Sequence, residues 1–163
     1  MAQTVPVALP GTKQLRDLLE AQVGREVSLR PTQPLPTSGR SLAYAIYVDG
    51  HLATKAVMVT DLPAAAYIGA AAGLIPVGVA TAAVQERRLP ALLTDRLREV
   101  ATEWTRLFGA PGSDRVRLYK LVLPNDPPPN DIVALAAAPG QRTDLIVSVR
   151  AYGEGHLSLV MGR

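Results

Sequence analysis

The sequence predicts an α+β domain in which helices pack on one antiparallel sheet. In two segments apolar residues recur at steps of three and four, which is typical of amphipathic helices. Other segments are short runs rich in β-branched residues, bounded by turn-forming residues, which predict strands. The order helix, strand, proline-rich loop, hairpin occurs twice along the chain. We therefore expect a pseudo-two-fold domain with two long helices on its sheet.

The composition disfavours several classes of function but does not identify one. The chain has 163 residues, 48% hydrophobic and 19% charged, which suits one compact domain over residues 1–163. It has no cysteine and two histidines, so we expect no metal site and no cofactor. A net charge of +3, with scattered basic residues and 4% aromatic residues, disfavours nucleic acid as a partner.

The first half begins with a helix and ends with a hairpin. Leu15, Leu19 and Val23 share one helical face, and Gly24 ends the pattern. Asp49-Gly50 favours a tight primed turn between two strands. The predicted helix, extended segment, proline-rich loop and two strands cover residues 12–23, 25–31, 31–40, 42–48 and 52–60.

An uncharged segment from Leu62 to Val84 is long enough to span a bilayer. It is mostly alanine and glycine and contains Pro63 and Pro76, so we expect two packed helical pieces and no membrane span. Asp61 is placed to cap the first piece. Because no basic segment followed by an apolar core opens the chain, the expected location is the cytoplasm.

The second half repeats this order around a longer helix. Leu93, Leu97, Val100 and Trp104 define a buried stripe, and Pro90 and Gly109 bound one helix over 90–108. The remaining elements are a strand, a proline-rich loop, a short strand and a hairpin, over residues 115–123, 124–131, 132–137, and 143–152 with 156–161.

Asp49-Gly50-His51-Leu52 is echoed by Glu154-Gly155-His156-Leu157, which predicts halves over 12–60 and 90–162 joined by 61–89. Coincidence is the alternative, because acidic-Gly turns are common in hairpins. The two histidines are interpreted as surface residues at strand starts.

Four polar residues lie opposite the buried stripe of the long helix. At about 100° per residue, Asp95, Glu99, Thr102 and Arg106 fall within roughly 60° of one another. We expect them to be exposed neighbours. From residue types alone, such a face is ordinarily just solvated.

From about residue 12 to 162 the chain resembles the chemotaxis phosphatase family that includes CheX and CheC and is related to the flagellar switch proteins. The local likeness lies in residues 18–27, in the hairpin around Gly50 and in residues 62–74. In that family the long helix carries Asp or Ser, then Glu after three residues, then Asn after two more, and often Gly four residues later. Here Asp95 and Glu99 match, whereas Thr102 replaces Asn and Arg106 replaces Gly.

The resemblance implies a protein that binds a response-regulator receiver domain and hydrolyses its aspartyl phosphate. Glu99 and Thr102 would be the catalytic residues, Glu99 contacting the receiver near its conserved lysine and Thr102 holding the attacking water. Asp95 and Arg106 would contact the partner, and any Mg²⁺ would belong to the receiver. A Glu followed three residues later by Thr also resembles the phosphatase motif of sensor histidine kinases.

Two further expectations follow from this comparison of motifs. CheC-like members carry a second motif on the first helix, but here Asp17 and Glu20 are three apart without an Asn, so we expect one site at most. The alternative function is a non-catalytic scaffold or adaptor, including a homodimer, which the replacements at Thr102 and Arg106 favour.

Overall fold

The computed structural model describes residues 8–37, 41–108 and 115–162. The helices and strands form an α+β arrangement, as predicted. The helices are α1 (Thr12–Val23), α2 (Leu62–Ala72), α3 (Val77–Glu86), α4 (Ala91–Glu103) and α5 (Asn130–Ala137), with a 3-10 helix over Trp104–Phe108. The strands are β1 (Val27–Pro31), β2 (Leu42–Val48), β3 (Thr54–Asp61), β4 (Arg117–Val122), β5 (Arg142–Val149) and β6 (Gly153–Met161).

The six strands form one antiparallel sheet in the order β1-β5-β6-β3-β2-β4. If β1, β2 and β3 are exchanged with β4, β5 and β6, this order simply reverses. Each outer strand pairs with a strand of the other half, and β3 pairs with β6 at the centre. The sheet therefore has the pseudo-two-fold topology that the repeated element order predicts.

Each face of the sheet is covered by a separate apolar cluster. Helices α1, α2 and α4 cover one face, where Tyr47 of β2 and Met58 of β3 are buried. Helix α5 covers the β2–β3 part of the other face through Ile132 and Ala136. Strand β2 is consequently buried along its whole length, because its alternate side chains enter both clusters.

Helix α2 is central because its small side chains allow close approach. A Cβ on Gly69 would lie 3.0 Å from the carbonyl oxygen of Leu93 on α4, and a Cβ on Gly155 of β6 would overlap the backbone of Ala64.

The carboxylate of Asp61 accepts a 2.9 Å hydrogen bond from the backbone N–H of Ala64, so the predicted cap is confirmed. Among the described residues, none of the helices combines the length and apolar character needed to cross a bilayer.

The strand predicted over 132–137 is wrong, because α5 occupies this segment. Six mostly apolar residues fit either element, and here Ile132 and Ala136, one turn apart, both face the second cluster. The guanidinium of Arg142 donates to the carbonyls of Ala136 and Ala138 at 3.0 and 2.9 Å, which satisfies the end of the helix.

The Asp49-Gly50 turn is also not the predicted primed turn. Leu52, not Gly50, has the positive φ, at 63°. The Asp49 carboxylate accepts from the backbone N–H groups of His51 and Ala53, at 2.8 and 3.0 Å. The turn is thus built on the aspartate side chain, as in Asx turns, and the glycine is not needed for its shape.

The echoed tetrapeptide in the second half is not a turn. Glu154 and Gly155 lie inside β6, opposite Ser148 and Val147, and the chain reverses earlier, at Ala151 with φ 69°. His156 is a half-buried residue within the strand, so its predicted position at a strand start is wrong. The symmetry of the halves therefore rests on strand order and not on this peptide.

Candidate functional site

Helix α4 carries Asp95, Glu99 and Thr102, three of the four predicted site residues, and its own sequence explains where it lies. Pro90 precedes the first turn with extended backbone angles, and Leu93, Leu97 and Val100 are buried at steps of three and four residues. The α-helix ends at Glu103, and Trp104–Phe108 continues as a tighter 3-10 helix. The predicted helix over 90–108 is therefore confirmed in its extent, and its last residues form a 3-10 turn, as is common at helix ends.

One buried and two partly buried hydrogen bonds fix the C-terminal half of α4. The hydroxyl of Tyr47 on β2 donates a 2.6 Å hydrogen bond to the carbonyl of Ala101, and burial raises the pKa of Tyr47 well above its ordinary value. The hydroxyl therefore stays protonated as a donor. Gln22 of α1 accepts from the indole N–H of Trp104 at 2.9 Å and donates to the carbonyl of Val100 at 3.0 Å. Because α4 is fixed to the sheet and to α1, its outer face is rigidly presented.

Asp95, Glu99 and Thr102 all lie on the exposed side of α4. The side chain of Asp95 is 71% exposed and that of Glu99 is 67% exposed. Both carboxylates have arginine neighbours on the same helix. Arg96 contacts Glu99 at 3.1 Å, and Arg98 contacts Asp95 at 3.9 Å. Such exposed pairs are weak, so each carboxylate remains available to a partner.

The hydroxyl of Thr102 is already used as a donor. It donates a 2.8 Å hydrogen bond to the carbonyl of Arg98, one turn earlier on the helix. Its oxygen lone pairs remain able to accept a hydrogen bond from a water molecule. A hydroxyl in this position can therefore orient a water, but it holds that water closer to the helix than a longer amide side chain would.

Arg106 lies on the 3-10 helix and is exposed. Asp95 and Glu99 pair with Arg98 and Arg96 of the same helix, and among the described residues no ion pair joins Arg106 to either carboxylate. The sequence spacing of three residues could have indicated both pairs.

The first helix carries no comparable arrangement. Asp17 lies 3.7 Å from both Lys13 and Arg16, and Glu20 lies 3.6 Å from Arg16. Their pairs are local and lie on the surface of α1. In the described ranges 8–37, 41–108 and 115–162, no group of three or more His, Asp or Glu side chains is suited to hold a metal ion.

A groove beside Thr102 was not predicted. It has a volume of about 400 Å³ and lies between α4, the 3-10 helix and the edge strand β4. Arg98, Arg117 and Lys120 line it together with Thr102 and Tyr119. The basic residues of β4 were visible in the sequence, but nothing in it placed β4 next to α4.

Several solved structures have a similar fold at low sequence identity. The FliM middle domain from H. pylori aligns over 92% of this chain and 84% of its own, with 7% identity and a TM-score of 0.60. The FliM–SpeE complex from H. pylori aligns over 92% and 80%, with 8% identity and a TM-score of 0.57. The chemotaxis protein CheX from Vibrio vulnificus aligns over 91% and 93%, with 15% identity and a TM-score of 0.42.

No protein-family model and no curated protein sequence matches the chain. The two FliM structures show that the chain has the fold of the FliM middle domain. The fold that the sequence resemblance implied, which is shared with the flagellar switch proteins, is therefore confirmed.

Proposed function

We propose that this chain is a cytoplasmic module that docks helix α4 on the receiver domain of a response regulator and promotes hydrolysis of its aspartyl phosphate. The observation that carries the proposal is the exposed face of Asp95, Glu99 and Thr102 on a rigidly held helix. Its fold supports association with other proteins, since one structure that shares it is a FliM–SpeE complex.

In this proposal the two catalytic residues divide the work. Glu99 meets the receiver near its conserved lysine and positions α4 over the phosphoryl group. Thr102 accepts a hydrogen bond from a water that attacks phosphorus in line, which breaks the bond to the aspartate oxygen and releases inorganic phosphate. Any Mg²⁺ is supplied by the receiver. Asp95 and Arg106 extend the contact along the same face.

A non-catalytic adaptor is the second candidate, and one observation favours it. The Thr102 hydroxyl is turned back to the carbonyl of Arg98 at 2.8 Å, and Glu99 contacts Arg96 at 3.1 Å. Losing a well-placed contact to the attacking water costs on the order of a hundredfold in rate. An adaptor would keep the docking face and lack this acceleration.

The test measures phosphate loss from phosphorylated receiver domains of the source organism, alone and with the wild-type chain. The proposal expects faster loss with wild type, reduced acceleration with Glu99→Ala and Thr102→Val, and further acceleration with Thr102→Asn. Glu86→Ala is the matched control, because Glu86 is also exposed but lies on α3.

Titration with receivers activated by beryllofluoride and Mg²⁺ separates the two candidates. Binding without acceleration by wild type, together with activity gained in Thr102→Asn, would establish the adaptor. If wild type binds none of the receivers, both forms of the docking proposal are wrong.

A further inference from the structure

The turn after α2 exposes a leucine that neither its backbone nor its packing explains. Leu74 has a positive φ of 54° and is 80% exposed. Its backbone N–H donates to the carbonyl of Ala71, and that of Ile75 donates to the carbonyl of Ala70, which is the Schellman motif with Leu74 at the left-handed position. Glycine is the usual residue there, because a side chain in this conformation crowds the backbone. A leucine is therefore disfavoured by the backbone and gains little burial within the fold.

A second exposed leucine lies on the same helix face as the candidate site. Leu92 is 52% exposed in the first turn of α4. It precedes Asp95 by three residues and Glu99 by seven, and these spacings place side chains on one side of a helix. Leu92 therefore extends the face of Asp95, Glu99 and Thr102 toward the N-terminus of α4.

Arg96 connects both leucines to this face. A Cβ on Gly73 would lie 2.8 Å from Cγ of Arg96, so the aliphatic part of Arg96 packs against the residue that precedes Leu74. The guanidinium of Arg96 contacts Glu99 at 3.1 Å. Leu92 lies one turn before Arg96 on α4. Leu74 and Leu92 therefore both border the surface around Glu99.

We propose that Leu74 and Leu92 are apolar anchors for the receiver domain, an inference that rests on the proposed function. The predicted site residues are all polar, and exposed charged contacts by themselves contribute little to affinity. Specific interfaces have an apolar centre surrounded by polar groups, and a few side chains supply most of the binding energy. In this proposal the receiver presents an apolar surface beside its phosphorylated aspartate, which covers the two leucines while Glu99 contacts the receiver's lysine.

The test is a titration of receivers activated by beryllofluoride and Mg²⁺ with wild type, Leu74→Asn and Leu92→Asn. Asparagine is close to leucine in size but polar, and it tolerates the left-handed conformation. Leu74→Asn should weaken binding by about tenfold, and Leu92→Asn by a few fold. Leu52→Asn is the matched control, because Leu52 is also exposed, at 57%, and has a φ of 63°, but lies in the turn between β2 and β3. This variant should change the dissociation constant by less than about twofold.

Two further measurements separate apolar anchoring from other roles of the leucines. The loss of affinity in Leu74→Asn should be the same at low and high salt, whereas the loss in Glu99→Ala should shrink at high salt, because salt screens charged contacts. At saturation, Leu74→Asn should reach the wild-type rate of phosphate loss, since the leucine does not contact the attacking water. The urea midpoints of Leu74→Asn and Leu52→Asn should equal or exceed that of wild type, because each variant removes a disfavoured leucine.

Three results would overturn the inference. Wild-type affinity in both Leu74→Asn and Leu92→Asn, or an equal loss in Leu52→Asn, would place the leucines outside the interface. This differs from failure of the docking proposal, in which wild type itself binds no receiver and both proposals are lost. A lowered urea midpoint in Leu74→Asn would show that the leucine stabilises its own fold. Self-association of wild type that is lost in Leu74→Asn, measured by analytical ultracentrifugation, would assign the leucines to a second copy of the chain.

Discussion

The hydroxyl of Tyr47 donates a 2.6 Å hydrogen bond to the backbone carbonyl of Ala101, which joins strand β2 to the helix that carries the candidate site. The centroids of the Tyr47 and Phe108 rings are also 5.1 Å apart. One side chain thus contacts both α4 and the 3-10 helix that follows it, so it should matter for stability through its hydroxyl and its ring separately.

Tyr47→Phe should lower the free energy of unfolding by about 1 kcal/mol, because it keeps the ring contact and removes a buried hydrogen bond. Urea denaturation followed by circular dichroism measures this. Tyr44→Phe is the control on the same strand, since the Tyr44 hydroxyl has no hydrogen-bond partner among the described residues. Equal losses in both variants would contradict a specific role for the Ala101 contact.

Gly155→Ala should destabilise the fold by about 2 kcal/mol or more, since the added methyl group would overlap the backbone at the start of α2. Gly78→Ala is the matched substitution on the exposed side of α3, where nothing lies within 4 Å of the added Cβ. It should be neutral or stabilise by about 0.5 kcal/mol. Urea midpoints of the two variants test this, and similar midpoints would show that α2 can shift away from β6.

Asp144 should make stability depend on acid pH. Burial raises the pKa of Asp144, but hydrogen bonds from Arg142 and Ser158 and the charge of Arg142 outweigh it and hold the pKa below 3.8. The unfolded chain therefore takes up this proton first as pH falls. The stabilisation is complete above the unfolded pKa, near 3.8, and is lost as pH falls through the lower folded pKa.

Asp144→Asn should cost about 3 kcal/mol at pH 7, because it leaves the Arg142 guanidinium partly buried without its charge partner. The difference in urea midpoint between wild type and this variant should narrow between about pH 5 and pH 2. A difference independent of pH over that range would mean that the pKa of Asp144 is not lowered by folding.

Arg96→Ala should leave stability within about 0.5 kcal/mol of wild type, because the contact with Glu99 is exposed. If Glu99 meets a lysine on the receiver, removing the competing arginine should tighten receiver binding by a few fold. Isothermal titration calorimetry measures this, with Arg88→Ala as the control for loss of one positive charge. Unchanged or weaker binding would place Glu99 outside the contact.

Apolar spacing and turn-forming residues predicted the bounds of several elements. Helix α1 and strand β2 begin and end close to where apolar spacing places them, and Asp61 caps α2 as expected. The strand predicted over 132–137 was wrong because the apolar residues of this segment fit a strand or a helix equally well. Helix α5 forms there through contacts with a cluster of residues distant in sequence.

In the candidate site, too, some features could be predicted from the sequence and others could not. Exposure of Asp95, Glu99 and Thr102 follows from the period of α4, which the sequence shows directly. The hydrogen bond between Gln22 and Trp104 and the groove beside Thr102 depend on segments that only the fold brings together. Side-chain partners on the surface, such as Arg96 for Glu99, were within reach of a spacing argument.

The strand order pairs strands of one half with strands of the other, and this affects how the chain folds. Strand β1 pairs with β5, so the backbone of Val27 stays unpaired until Val149 has been synthesised. During synthesis on a ribosome, the first half would emerge with β1 lacking its neighbour and β3 exposed on the side later covered by β6. Pairings so distant in sequence make closure slow, and until it occurs these unpaired edges are open to aggregation and to exchange of a whole half with another copy.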